Sequence, residues 1–407
     1  MEHLITMAQS ISQGKQFVRT LGMLVCVVVL SACGGGSGGN SAPEQNPPIV
    51  NVAGQGQFKD ATLLKTISSA EMASAIDSAG NSAQQASPRY AVKAYRLTYL
   101  TVDGQGQEIL ASALVAVPQK VVDSLSPVLS YQHATLKHEA EAPSHLAEPG
   151  SPELVMASLG YIVLSADYVG YGASTGASHP YLLSAPSASA VIDLLTAARY
   201  WRQTERVLDN GQLFLAGYSE GGYVTIATQR ALQAGTSVHR SQVVRVTAGS
   251  GPYNVALTLD ELLKLVRQEY PLIGGLLSPG FLKNLSDADR NNVRDALLRQ
   301  LLGSDADVVF MPTFIDNYFA DNRLAIEADS NVDVWRPEVP VYLFHGPDDT
   351  TVSYLNASRT LQTMQTWGAG KLVSLTDCKA QPAGHSECVQ PYWQFMVTTF
   401  ASVAQDL

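Results

Sequence analysis

The sequence predicts an α/β fold, a mostly parallel central sheet with helices on both faces, into which a helical cap is inserted late in the chain. Three observations carry this reading. Short apolar runs at Pro127–Tyr131, Tyr161–Ser165, Leu213–Ala216, Val243–Ala248, Val339–Phe344 and Lys371–Leu375 are separated by helical stretches near Pro152–Leu159, Pro186–Trp201, Glu220–Gln233, Leu355–Trp367 and Val389–Ala404. That alternation is what a doubly wound parallel sheet requires. Ahead of it, Tyr90–Thr101 alternates apolar and polar residues, reaches Asp103-Gly104 and is answered by Ile109–Val117, an antiparallel pair. Between Tyr253 and Pro337 the signals are helical only.

The chain begins with Lys15 and Arg19 ahead of the apolar run Leu21–Leu30, which is too short to span a bilayer and has the pattern of a secretory signal, residues 1–32. The following Leu30-Ser31-Ala32-Cys33-Gly34 resembles the bacterial lipobox. The resemblance implies a lipidated Cys33 as the first mature residue, and Gly34, where Asp would signal retention, points to the outer membrane. An ordinary cleaved signal with an incidental cysteine is the alternative. Residues 33–57 are rich in Gly, Ser, Asn and Pro and read as a flexible tether, which makes the protein anchored rather than spanning. Gly34, Gly36 and Gly39 match a dinucleotide-binding spacing, but no strand precedes them and no helix follows.

Residues 58–252 form the first part of the core. Its start is a decoration with one short helix, opened by the capping box Ser68-Ser69-Ala70-Glu71. Residues 253–337 are the cap, with helix starts at Thr258-Leu259-Asp260-Glu261 and at Ser286-Asp287-Ala288-Asp289. Its segment Tyr270–Phe281 is apolar and hinge-rich, as a lid over a cleft would be; a helical subdomain remote from any site is the alternative. Residues 338–407 complete the core. A hydrophobic share of 46% fills so large a domain, and a net charge of -10 without a Lys/Arg run excludes a nucleic-acid footprint.

The chemistry starts at Leu213–Ala216, which runs into Gly217-Tyr218-Ser219-Glu220-Gly221-Gly222 and then a helical stretch. A serine on such a strand-to-helix corner is exposed above the sheet, at a helix N-terminus that favours developing negative charge. The plain alternative is a serine that merely caps the helix. A nucleophilic serine needs a base and an acid, and in α/β-hydrolases these follow in the order Ser, Asp/Glu, His. Three histidines follow Ser219: His239, His345 and His385. The run Val341–Phe344 ends in His345-Gly346-Pro347-Asp348-Asp349-Thr350-Thr351-Val352, so Asp349 emerges at a strand's C-terminal edge, with Asp348 the fallback. His385 is then the only histidine after the acid.

Cys378 and Cys388 bracket His385 and, in an exported protein, are natural disulfide partners that would restrain the loop carrying the base. Zinc ligation by Cys378, His385 and Cys388 is the rival reading, without a clear fourth ligand. For the oxyanion, the N–H of Glu220 is one candidate donor and that of Ala134 or Thr135, after the run ending at Tyr131, the other. His133 reads as a satisfied structural histidine.

Tyr131-Gln132-His133-Ala134-Thr135, Ala166–Gly172, His179-Pro180-Tyr181-Leu182, the Ser219 turn and the Asp349 signature together resemble the bacterial secretory lipase/esterase group of α/β-hydrolases, from about Tyr90 onward. Ala134 stands where that group often has Gly. The resemblance implies the α/β-hydrolase fold, and places Asp167 and Tyr168 in the cleft wall rather than in a triad. The expectation is a carboxylic ester hydrolase, esterase or lipase, acting through Ser219, His385 and Asp349 on a small ester or lipid, with no cofactor and no metal. A serine peptidase or aminopeptidase of the same fold and a non-catalytic binding lipoprotein are the alternatives.

Overall fold

The structure, a computed structural model, describes residues 49–78, 87–269, 283–284, 286–302 and 305–407. The signal segment, Cys33 and the cap stretch Tyr270–Phe281 lie outside the described residues.

Among the described residues nine strands form one sheet: β1 (Phe58–Ile67), β2 (Val92–Val102), β3 (Glu108–Pro118), β4 (Ser126–Gln132), β5 (Ile162–Ala166), β6 (Asp209–Tyr218), β7 (Val243–Gly249), β8 (Val341–His345) and β9 (Val373–Asp377). Their order is β1-β2-β3-β5-β4-β6-β7-β8-β9. Strands β1 to β3 pair antiparallel, β3 meets β5 antiparallel, and every later pairing is parallel. From β4 the chain steps outward to β5 and then returns to lay β6 on the other side of β4. In open α/β sheets such a reversal of strand order marks the crevice where ligands are received, here at the carboxyl ends of β4 and β6.

Register brings the parallel strands to one edge. Gln132 pairs with Gly217, Tyr218 with Gly249, Gly249 with Phe344, and His345 with Asp377. The segments that follow β4, β6, β7, β8 and β9 therefore all leave the sheet together.

Alternating side chains bury both faces. On one, Val128, Leu213 and Leu215 pack with helices α3 (Ser184–Thr204) and α4 (Glu220–Ala234); on the other, Leu129, Phe214 and Ala216 pack with α1 (Ser69–Ser78) and α2 (Pro152–Ser158). Helix α10 (Val389–Ala401) joins the second face through Tyr392, Trp393, Met396 and Phe400. Between β7 and β8 lie α5 (Val255–Glu269), α6 (Asp287–Leu302), α7 (Thr313–Phe319) and α8 (Arg323–Asp329), and α9 (Leu355–Thr366) follows β8.

The two ends of this helical excursion meet at a neck. Asn254 Nδ2 donates to Asp333 Oδ2 (3.0 Å), Val255 N–H to Asn331 Oδ1 (2.8 Å) and Val332 N–H to the Tyr253 carbonyl (2.8 Å). From α4, Tyr223 Oη donates to the Ser330 carbonyl and Arg230 to that of Asn331, both at 2.7 Å.

Three expectations are corrected. The stretch after Phe58 is not only a decoration, because its first ten residues are the edge strand β1, paired along β2. In it Ile67 alone is buried, so no apolar alternation announced a strand. The last residues assigned to the tether are held on the domain, with Asn51 bonded to Phe58 and the Gly56 N–H donating to the Leu100 carbonyl. Finally, α5 starts at Val255 and not at Thr258. Asn254 Oδ1 takes the Leu257 N–H (2.9 Å) in the capping position, and Thr258 Oγ1 bonds back to the Asn254 carbonyl from within the helix.

Candidate active site

Ser219 sits at the corner between β6 and α4 with φ 58° and ψ −123°. Two glycines make this corner possible. A Cβ at Gly217 would lie 2.3 Å from the Gly221 carbonyl oxygen, and one at Gly221 would lie 2.0 Å from that of Gln132. Strand, helix and the segment after β4 thus touch backbone to backbone. The Ser219 N–H is taken by the Gly249 carbonyl (2.8 Å), which ties the corner to the end of β7. Although Ser219 precedes the first residue of α4, its hydroxyl does not cap the helix. It faces His385 instead.

His385 Nε2 is 2.9 Å from Ser219 Oγ, and His385 Nδ1 is 2.6 Å from Asp349 Oδ2. The three residues come from the ends of β6, β8 and β9, 166 and 36 positions apart in pairs. The Asp349 side chain is fully buried and that of His385 is 17% exposed, so the series runs from the interior outward to the crevice. Asp349 Oδ1 accepts the N–H groups of Thr351 and Val352, each at 2.9 Å, which fixes the carboxylate plane and leaves Oδ2 to His385. Burial by itself would raise this carboxyl, but hydrogen bonds from His345 and His385 outweigh it and hold Asp349 well below the usual carboxylate range. Of the two adjacent aspartates, only Asp349 meets the histidine.

The loop bearing His385 is secured at several points. Cys378 and Cys388 form a disulfide with Cα atoms 5.9 Å apart, so the two sulfurs are bonded to each other and not free to bind zinc. Tyr218 Oη donates to the His385 carbonyl (2.7 Å), and the Ala383 N–H donates to Asp348 Oδ2 (2.9 Å). Tyr392, one turn into α10, accepts the Gly217 N–H (3.0 Å) and donates to the Thr247 carbonyl (3.1 Å). The residue before the serine and the residue before that are therefore both tied to the segment that carries the histidine.

Glu220 is the first residue of α4, and N–H groups of a first helical turn have no carbonyl within the helix to bond. The Gln132 and His133 carbonyls pack on Gly221, so Ala134 and Thr135 leave β4 beside this helix end; both are half-buried, and Thr135 Oγ1 lies 3.2 Å from Tyr181 Oη. His133 is buried, with its ring nitrogens 2.7 Å from the Ala134 carbonyl and 3.3 Å from that of Asp167. Asp167 takes hydrogen bonds from Ser112 Oγ, Ser144 N–H and Ser144 Oγ, which makes it a buried brace.

Two contacts escaped sequence reasoning. His345 Nε2 donates to the Val352 carbonyl (2.7 Å) and stands 3.3 Å from Asp349 Oδ2, so a second histidine leans on the acid. Its four-residue spacing from Asp349 was visible, but the fold of the intervening turn was not. Glu220 and His179 form a buried pair at 2.7 Å, joined across 41 residues with no local pattern to reveal it.

Residues 151–235, from α2 through α4, match the model of the prolyl oligopeptidase family. No curated protein matches the sequence. Among solved structures, the rice cell wall degrading esterase LipA from Xanthomonas oryzae is 24% identical with a TM-score of 0.67, covering 86% of this chain and 100% of its own. A protein of Legionella pneumophila is 22% identical with a TM-score of 0.67 and coverages of 85% and 97%. Candida antarctica lipase A in its closed state is 16% identical with a TM-score of 0.53 and coverages of 87% and 87%. With the strand order and the corner at Ser219, these likenesses show that the chain has the α/β-hydrolase fold.

Proposed function

We propose that the protein is a serine hydrolase that cleaves carboxylic esters through an acyl-enzyme. The observation that carries this is the continuous series from Ser219 Oγ through His385 to Asp349, at 2.9 and 2.6 Å. Ser219 Oγ attacks the ester carbonyl carbon while His385 Nε2 takes its proton. The tetrahedral oxyanion is held by the N–H of Glu220 and that of Ala134 or Thr135. Collapse expels the alcohol, which receives the proton from His385. Water then attacks the acyl-enzyme, again through His385, and the acid leaves. Asp349 keeps the imidazole in the tautomer this requires and stabilises the imidazolium. No step calls for a metal or an organic cofactor.

The esterase and lipase names of two structural relatives support ester over amide substrates, and the apolar cap favours acyl chains. Residues 305–311 of the cap reach the segments after β4 and before α3, where the Asp307 N–H donates to the Lys137 carbonyl (3.0 Å). This supports a cap seated over the crevice. The prolyl oligopeptidase match across the corner at Ser219 favours, as a second reading, a peptidase of the same fold. A buried disulfide fits an exported protein anchored through Cys33; loss of acyl labelling in Cys33→Ala would test the anchor.

Turnover of short p-nitrophenyl esters against peptide amides separates the two readings. Ser219→Ala should abolish hydrolysis and fluorophosphonate labelling without changing the melting temperature. Turnover at the parent rate in that variant overturns the proposal. Esters of increasing chain length then place the enzyme between esterase and lipase.

A further inference from the structure

We propose that His179 is a positioning residue, through which the seating of the cap sets the oxyanion donors beside Ser219. The inference rests on the ester-hydrolase reading above and concerns the residue that follows the nucleophile.

Glu220 and His179 are 1% and 2% exposed, with Glu220 Oε1 at 2.7 Å from His179 Nε2. His179 Nδ1 is 2.8 Å from the Val169 carbonyl. A carbonyl can only accept, so Nδ1 bears a hydrogen, and a single proton is shared between Nε2 and Oε1 whichever atom owns it. In so buried a place neither partner can give up the other without stranding a polar group. The side chain of Glu220 is thereby anchored, and with it the residue whose backbone N–H is proposed to hold the oxyanion.

The same histidine is laced to the cap by its backbone. The His179 N–H donates to the Val309 carbonyl (2.7 Å), and the Met311 N–H donates to the His179 carbonyl (2.8 Å). Between them Phe310 packs edge-on against the His179 ring, centroids 5.5 Å apart. Two residues further on, Tyr181 packs against Phe310 (5.4 Å) and Phe314 (5.6 Å), while its hydroxyl meets Thr135 Oγ1 at 3.2 Å. One three-residue segment therefore touches the side chains of Glu220 and Thr135, two of the three candidate donors, and is bonded to the cap along its backbone. A displaced cap would loosen the hold on Glu220 and Thr135 at once. The oxyanion site is complete only when the cap is seated, an arrangement that couples closure to chemistry.

Two conservative variants isolate the link. His179→Asn keeps a donor near the Val169 carbonyl and removes the atom that meets Glu220, whereas His179→Gln carries an amide out to that atom's place. His179→Asn should lower kcat about 10- to 100-fold with KM within about threefold, and should slow labelling by a small fluorophosphonate by the same factor as kcat. His179→Gln should stay within about fivefold of the parent. Phe310→Ala, at a half-buried cap position, should slow labelling in the same way, and it carries the test if His179→Asn does not fold. Parent-like kcat and labelling in His179→Asn, equal losses in the Asn and Gln variants with equal drops in melting temperature, or parent-like labelling in Phe310→Ala would each overturn the inference. An inactive parent, or an active Ser219→Ala, instead removes the nucleophile reading, and the inference with it.

Discussion

Asp348 and Ala383 are joined by two hydrogen bonds, the Ala383 N–H to Asp348 Oδ2 at 2.9 Å and the Asp348 N–H to the Ala383 carbonyl at 3.1 Å. The aspartate that does not meet His385 thus holds the backbone two residues before it. Adjacent carboxylates have divided the work, one on the imidazole and one on its loop. Asp349→Asn should therefore lower kcat about 10³- to 10⁴-fold by stranding the wrong tautomer of His385. Asp348→Asn, which can keep one bond to Ala383, should cost no more than about tenfold. Steady-state kinetics on a short ester checks both, and equal losses would contradict the division.

Two buried carboxyls should respond to acid with opposite sign. Asp349 is held below the ordinary carboxylate range by His345 and His385 against its burial, so its stabilising effect is complete above the unfolded value and is lost as pH falls toward the folded one. Asp193, on α3, is raised by burial to about 6 despite a hydrogen bond from Thr101 Oγ1 (2.8 Å). The folded state then favours protonated Asp193, and ionising it costs stability as pH rises through about 4 to 6, fully so above. Asp193→Asn should stabilise the protein by about 1 to 3 kcal/mol at pH 8, an advantage that vanishes below about pH 4. Denaturant melts across that range would show the convergence; a constant offset would contradict it.

Replacing both Cys378 and Cys388 by Ser should remove about 2 to 3 kcal/mol, the loop-closure contribution for a ring of this size. Their sequence separation is 10, and His385 lies inside the ring. Activity should fall beyond what lost stability explains, with kcat down several-fold at temperatures where the variant is still folded. Thermal melts and rates measured together separate the two effects.

Gly221→Ala should be far worse than an ordinary helix substitution. The new Cβ would stand 2.0 Å from the Gln132 carbonyl oxygen, which is backbone and cannot swing aside. Either the segment carrying Ala134 and Thr135 moves or α4 does, and each displaces a candidate donor. A loss of more than about 2 kcal/mol with almost no residual turnover is expected. Soluble protein with parent kinetics would show that this contact relaxes freely.

The meeting of Ser219, Asp349 and His385 was legible because a Ser, Asp, His order was expected along the chain and the segments after successive apolar runs leave one edge of the sheet. Strands β4 to β8 were legible for a related reason, since a sheet buried on both faces writes itself as short continuous apolar runs. Strand β1 was not, because an edge exposed on both sides needs no such pattern. The start of α5 was misread because Thr258 and Glu261 imitate a capping box, while the residue that caps, Asn254, is fixed by tertiary contacts to Asn356 and Asp333. The Glu220–His179 pair lay beyond reach for the deeper reason that its partners share no element and no period. Only the packing of α4 against the segment before α3 brings them together.

The neck at Asn254, Asn331 and Asp333 has a consequence for how such a protein can change over evolution. Because the excursion leaves and re-enters the domain at neighbouring points, and because those points are bonded to each other and to α4, the segment between them meets the domain at one neck and, beyond it, at contacts such as those of Val309 and Met311 with His179. Helices there can lengthen, shorten or be exchanged for those of another protein while β7 and β8 stay paired. Under the proposed function, substrate preference and the Ser219, His385 and Asp349 series can then diverge at separate rates, with the segment around His179 the place where a transplanted cap would have to be matched to its new host.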